Sequence, residues 1–335
     1  MLDRLIAHVD YVTNPESSPE PIRFLLDALG LPGAIPLIGM GVAVAVASLL
    51  AWARRRPLEG HRIRFIERAE GYGEFLPWMV RLSVGLVLIG AGLSRVRFLP
   101  TVETGEWFAL LLIGTGFLLL LGLAVRPAAL VALGAYLVTL IAHPELVMML
   151  DVAGALTVAA ILGPGRPSLD DLLRAAFPRG PGARAATENL AKGRNDDIIP
   201  LIVRLGLGGA FVASGIVDKL LIYDQALAAV DRYRLTSVVP LAPELWVLGA
   251  ILIETTLGLA IIFGVLTRFG ASVGFAVLTV ALFALPDDPV IAHVCLFGLS
   301  SVLVILGGGR WSLDRAVLAP LGERLRARQA DRRVV

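Results

Sequence analysis

Four ionisable residues stand in or beside apolar stretches of the C-terminal half: Asp218, Lys219, Glu254 and His293. A carboxylate beside an imidazole suits proton exchange, because their pKa values can straddle neutral pH. Glu254 lies midway along an apolar run, 14 residues before Arg268. At 1.5 Å per residue that is about 20 Å from the basic edge of the run. A charge at such depth in a bilayer costs about 2.5–3.5 kcal/mol, so Glu254 is either protonated or paired. His293 falls one turn into the last apolar run at nearly the same depth, and Asp218 and Lys219 end a third. The four converge on one end of a helical bundle, either as a ligand or proton site or as a polar network that locks helix packing.

Other polar residues support or compete with this set. Arg204, Gly208, Phe211, Gly215 and Asp218 step by alternating fours and threes and share one helix face, as do Arg81, Gly85, Leu88, Gly92 and Arg95. The glycines suit close backbone packing. Arg81 and Arg204 lie one turn inside the basic edge, placed to snorkel to the interface or to meet a headgroup. Asp151 and His143 could form a second site near the same end of an earlier bundle. His143 with His293 is a geometry that a bis-histidine b-haem could use, but the two are not equivalent positions in the repeat described below, which speaks against it. No metal site is expected. Cys295 is the single cysteine, which excludes a disulfide or a cysteine-held cluster within the chain.

These residues need helices long enough to cross a bilayer. The 335-residue chain is 56% hydrophobic and 17% charged, against roughly 45–50% and 25% in soluble domains. Apolar runs predict spans near 34–53, 76–96, 107–125, 127–142, 146–163, 199–217, 244–266, 269–285 and 289–307. With the N-terminus outside, the inner segments hold 21 lysines and arginines against 7 outside, which orients the chain N-out and C-in. The net charge of +2 does not suggest a nucleic-acid binder. Between spans six and seven, Leu220, Tyr223, Leu227, Val230 and Tyr233 follow helical spacing. They predict an amphipathic helix on the outer surface, placed either as a lid over Glu254 and His293 or as a plain connector.

The chain also repeats itself. Pro77, Arg81, Gly85 and Gly92 match Pro200, Arg204, Gly208 and Gly215, each 123 residues later. GFLLLLGLAVRPAA (116–129) matches GLAIIFGVLTRFGA (258–271), and LGPGRPSLD (162–170) matches LGGGRWSLD (306–314). Each unit holds four spans, so the units run parallel, related by an axis along the membrane normal. In the last motif Ser168 or Ser312 N-caps a short interfacial helix with Asp170 or Asp314 in its first turn. The first unit lacks the polar set: Arg95 and Val96 stand for Asp218 and Lys219, Leu112 for Glu254, and Met149 or Asp151 for His293.

The order RLGLGGAFVASGIVDK, ETTLGLAIIFGVLTR, GGGRWSLD resembles the DoxX/DoxD-like family of four-helix membrane proteins, with two tandem copies over roughly 75–330 and the second the fuller match. The resulting fold class is an all-α polytopic membrane protein of about nine transmembrane helices. Residues 1–33 are an extracytoplasmic segment, 34–53 an extra transmembrane helix and 54–75 a cytoplasmic basic loop. Residues 76–178 form the first DoxX-like bundle, 179–198 a cytoplasmic linker, 199–318 the second bundle and 319–335 a basic cytoplasmic tail. The resemblance implies a membrane subunit of a quinone-linked, sulfur-compound-oxidising redox system. Its ligand or proton site would be Glu254, His293, Asp218 and Lys219, supported by Arg204, Arg81, Asp151 and His143. The chain holds no redox cofactor motif, so the electrons would come from a soluble or membrane partner subunit and the lipophilic carrier would be a quinone. The alternative is a non-catalytic membrane binding, transport or assembly protein. The basic tail would meet anionic lipid headgroups. The 28 arginines against 2 lysines fit a prokaryotic cell membrane.

Overall fold

The computed structural model describes residues 17–54, 59–176, 195–284 and 290–320. The first half of the N-terminal segment, most of the linker over 179–198 and nearly all of the basic tail lie outside these residues.

The described residues open with α1 (Pro21–Gly30) and α2 (Ala34–Arg54), which meet at 87°. Pro21 pre-sets the first turn of α1. Between the two helices, Gly33 lets the backbone pass directly against Leu245. α2 is apolar, and its side chains between Met40 and Val46 are exposed, as a lipid-facing helix requires. A basic loop was expected over 54–75. Instead Glu59–Gly71 is a charged helix, α3, which leads through a single turn into α4 (Leu76–Leu93). Its run of charges offered no apolar period to read.

Four helices follow one another as α4, α5 (Glu106–Leu121), α6 (Val125–Ala142) and α7 (Leu150–Leu162), with α8 (Leu169–Ala176) beyond them. The later group is α9 (Asn195–Ala213), α10 (Tyr223–Arg232), α11 (Leu235–Val238), α12 (Pro243–Phe263), α13 (Thr267–Ala284) and α14 (Val290–Leu306). α9 continues as a π-helical segment, Ser214–Leu221. Five segments have the length and hydropathy of a membrane crossing: Arg64–Leu93, Val125–Ala142, Pro144–Leu162, Asp197–Leu221 and Pro243–Phe263. The bent pair of α1 and α2 makes a sixth if counted as one span, and Glu106–Leu121, Thr267–Phe283 and His293–Leu306 are apolar but shorter. The chain is a multi-pass helical membrane protein, and each span read from the sequence falls on one of these helices.

Glycines set the closest helix contacts. A Cβ on Gly85 would stand 2.9 Å from the Gly116 carbonyl oxygen, and one on Gly208 would stand 2.6 Å from that of Gly258. α4 therefore lies backbone to backbone on α5, and α9 on α12. The two groups join where α7 crosses α9 at Gly154 and Gly206, a Cβ on the first falling 3.1 Å from Cα of the second. They join again where Gly298 of α14 abuts Ser83 of α4. One hydrophobic core runs through both groups.

One element departs from the all-helical expectation. Val96–Arg97 and Leu99–Glu103 pair as a short antiparallel hairpin between α4 and α5. Phe98 at its turn has φ 70° and is fully buried, edge-on to Tyr136 at 5.5 Å and to Phe108 at 6.4 Å.

Candidate functional site

The two buried arginines are staples between helix ends. Arg204 Nε donates to the carbonyls of Ile261 and Ile262, both at 3.2 Å, and Nη2 to Ile262 at 2.7 Å. Nη1 donates to Gly308 at 2.7 Å and to Trp311 at 3.0 Å. These are the open carbonyls at the C-terminus of α12 and in the GGGRWSLD loop, where a cation also meets the negative helix end. Arg81 does the same for α5, donating to Leu119 at 3.2 Å and to Pro167 at 2.6 Å. Neither side chain reaches outward to the interface, since each is at most 3% exposed. Arg204 bonds carbonyls seven and eight positions beyond Glu254 on the same helix, about 11 Å along its axis, so it supports the bundle rather than the site.

The LGxGRxSLD motifs complete the staples. Ser168 caps its helix as expected, accepting from the Asp171 amide at 3.2 Å, whereas the Ser312 hydroxyl donates to the Gly309 carbonyl at 2.8 Å. The aspartates do more than sit in a first turn. Asp314 accepts from the Leu266 and Thr267 amides at 2.6 and 2.7 Å, and Asp170 accepts from the Ala124 amide at 3.1 Å. Each carboxylate thus caps the N-terminus of a distant helix, α13 or α6.

Lys219, Glu254 and Asp218 do come together. The π-helical bonding of Ser214–Leu221 runs from i to i+5, so residues i+4 and i+5 flank the position above i. Asp218 and Lys219 accordingly both stand over Ser214. Its hydroxyl donates to Asp218 Oδ2 at 2.9 Å and accepts from Lys219 Nζ at 2.9 Å. Lys219 Nζ is 3.8 Å from Asp218 Oδ2 and 3.0 Å from Glu254 Oε2. The Glu254 contact is an ion pair by distance, but its angle is not that of a hydrogen bond, and Oε2 receives none among the described residues. Asp218 is 1% exposed, Lys219 12% and Glu254 19%. Glu254 is flanked along α12 by buried Val247, Ile251, Leu257, Gly258 and Ile261, at the three-, four- and seven-residue spacings of one helix face. It lies on the face that α12 turns to the bundle, away from the exposed Ile253 and Leu259. Two carboxylates stand within 4 Å of one ammonium, a polar set that a proton or a polar ligand could join.

Above the pair lies the predicted amphipathic helix. α10 lays Ala226 and Val230 on Val247 and Ile251 of α12, two turns and one turn before Glu254 on that helix. His293 is buried at the start of α14, 4% exposed. Residues 199–287 match the family model DoxX. This part of the chain is DoxX-like. No curated protein and no solved structure matches the chain. The DoxX domain contains Asp218, Lys219 and Glu254, while His293 lies just beyond the matched residues.

The earlier helices present a different interior. Leu112, the position matching Glu254, is fully buried. Arg95, matching Asp218, is surface-exposed and paired with Glu106 at 3.3 Å. Where the DoxX domain carries α10, these helices carry the hairpin, with Phe98 buried against Tyr136 and Phe108. His143 is at the surface, its Nδ1 3.3 Å from Glu145, not in the bundle. Asp151 is fully buried. It lies beside the buried Cys295 thiol of α14 and near Tyr136, between the two helix groups rather than with Glu254. The π-helical turn, which brings Asp218 and Lys219 to one face, had no sequence signal. The staples had one: Arg81 and Arg204 recur at the same distance before a Gly-rich loop ending in Ser-Leu-Asp.

Proposed function

We propose that this protein is an integral membrane subunit of a quinone-linked redox system, with a ligand and proton site at Lys219 and Glu254. The observation that carries this reading is the inward-facing Lys219–Glu254 pair, 3.0 Å apart, beside a fully buried second carboxylate. A buried ammonium with two carboxylates beside it is costly to keep at depth unless used. The residues present fit a quinone head. Its carbonyl oxygens accept, Lys219 donates, and Glu254 in its protonated form donates as well. A quinone bound there would supply the electron chemistry, fed by a partner subunit. In this reading Lys219 orients the ring oxygen, Glu254 and Asp218 hold the proton, and α10 excludes outer water. His293, at the same depth, completes the set.

The architecture we propose around it has nine spans, N-terminus outside and C-terminus in the cytoplasm of a prokaryotic cell membrane. Residues 76–163 and 199–307 are taken as parallel repeats, the first serving as scaffold. The matched staples of Arg81 and Arg204, and the matched glycine contacts of α4 on α5 and α9 on α12, support that pairing. Anionic headgroups are the proposed partners of the basic tail. The test is a titration of the full-length protein in nanodiscs with decyl-ubiquinone, followed by quenching of its tryptophans. Saturable quenching that Lys219→Met and Glu254→Gln abolish supports the reading, and equal affinity in all three proteins rejects it.

A further inference from the structure

The joint between the site and its cover is held by a segment far away in sequence. The π-helical turn that carries Asp218 and Lys219 ends at Leu221, and α10 begins at Tyr223, so Ile222 is the hinge between them. A helix end leaves open carbonyls and a helix start leaves open amides. Ser18 answers one of each across this hinge. Its backbone N–H donates to the Leu221 carbonyl at 2.7 Å, and its hydroxyl accepts from the Asp224 amide at 3.1 Å. A serine cap on a helix start is common, but here it comes from 206 residues earlier in the chain and is buried, 8% exposed.

Further contacts fix the same spot. The Tyr223 hydroxyl donates to the Pro19 carbonyl at 2.9 Å. The Phe24 ring lies flat on Tyr223, centroids 4.1 Å apart and planes 4° from parallel. Pro19 and Pro21 stiffen the approach, since proline restricts both itself and the residue before it. Behind them α1 packs Ala28 and Leu25 against Leu245 and Leu248 of α12, and the 87° bend hands the chain to α2. These contacts join residues outside the DoxX match to its cover helix.

We infer that residues 18–30 are a strap that locks α10 closed over the Lys219–Glu254 pair and so sets how readily that pair meets the outer solution. Ser18, Phe24 and Tyr223 are positioning residues, since none touches the pair itself. The inference rests on the site reading only in taking α10 as the cover of Lys219. It stands whether or not a quinone binds there.

The chain has two lysines, Lys192 and Lys219, and a single cysteine that is fully buried. The test therefore needs no engineered label. Full-length protein in nanodiscs is treated with sulfo-NHS-acetate, and acetylation of Lys219 relative to Lys192 is followed by peptide mass mapping. Maleimide labelling of Cys295 reports on loosening of the whole fold. Ser18→Ala should raise the relative rate at Lys219 about fivefold, the factor that goes with the loss of one helix cap, and Phe24→Ala should raise it by about the same factor through the lost ring stacking, while Cys295 stays protected. An unchanged ratio in both variants overturns the strap. So does a rise at Lys219 that comes only together with exposure of Cys295, because the segment would then be holding the fold and not the cover. Failure of quinone binding with a fivefold rise intact would count against the proposed ligand alone.

Discussion

Replacing Arg204 should show that the fork of its guanidinium, and not only its charge, holds the second bundle together. Arg204 makes five N–H···O contacts onto four carbonyls, those of Ile261, Ile262, Gly308 and Trp311. At about 0.6 kcal/mol per hydrogen bond within a membrane protein, Arg204→Met loses about 3 kcal/mol of contacts. It regains part of the desolvation cost of a guanidinium that is 3% exposed, so the net loss expected is about 2 kcal/mol. Arg204→Lys keeps the charge but cannot reach carbonyls on both the α12 end and the loop, so it should cost at least as much as methionine. Arg81 has two contacts beyond its own helix, to Leu119 and Pro167, and Arg81→Met should cost about half as much. The assay is equilibrium unfolding of the full chain in mixed micelles, followed by far-UV circular dichroism. If Arg204→Lys stays within about 0.5 kcal/mol of the native protein, the range of a neutral surface change, a point charge suffices and the fork argument fails.

Other expectations follow from the same geometry. Glu254→Gln should leave the unfolding midpoint almost unchanged while lowering quinone affinity at least tenfold; a lost midpoint with retained affinity would make Glu254 structural. Leu112→Glu should destabilise by about 2.5–3.5 kcal/mol, the insertion cost of a charge at depth, because Leu112 is fully buried among apolar neighbours; thermal unfolding at neutral pH reads it. Gly258→Ala should cost about 1–3 kcal/mol as an overpacked contact, since its Cβ would stand 2.6 Å from the Gly208 carbonyl oxygen; differential scanning fluorimetry would detect the loss. The Tyr223 hydroxyl is held above the ordinary tyrosine range by burial first, then by Asp224 and Glu20. The raised folded pKa means that its contribution is present below the ordinary value and is lost as pH rises through the folded one. Acetylation of Lys219 relative to Lys192 should therefore climb in strongly alkaline solution in the native protein, and Tyr223→Phe should flatten that climb.

Much of the helical layout was legible because apolar runs and their Gly and Pro breaks are local signals. So was the convergence of Asp218, Lys219 and Glu254 on one end of the bundle, read from their common depth; that Glu254 would take Lys219 as its ion-pair partner, where an imidazole was the expected one, was not. What local pattern could not give was the destination of side chains that bond across the fold. Arg81 and Arg204 looked like snorkelling residues because depth alone was readable; the carbonyls they bind belong to another helix and to a loop about 100 residues on. Asp170 and Asp314 looked like first-turn acids for the same reason. The hairpin at 96–103 hid inside a connector too short for a strand pattern, and α3 hid in a charge run. The Ser18 contacts could not be read at all, since a serine between prolines carries no sign of which helix it will cap.

The most direct test of the central claim is the quinone content of protein purified from its host membrane, extracted from matched amounts of the native chain, Glu254→Gln, Lys219→Met and Asp151→Asn, and quantified by chromatography. The account predicts bound quinone in the native chain and in Asp151→Asn, with loss in Glu254→Gln and Lys219→Met. Quinone retained by Glu254→Gln and lost by Asp151→Asn would move the site to the buried Asp151 between the two helix groups and contradict the assignment to the DoxX domain.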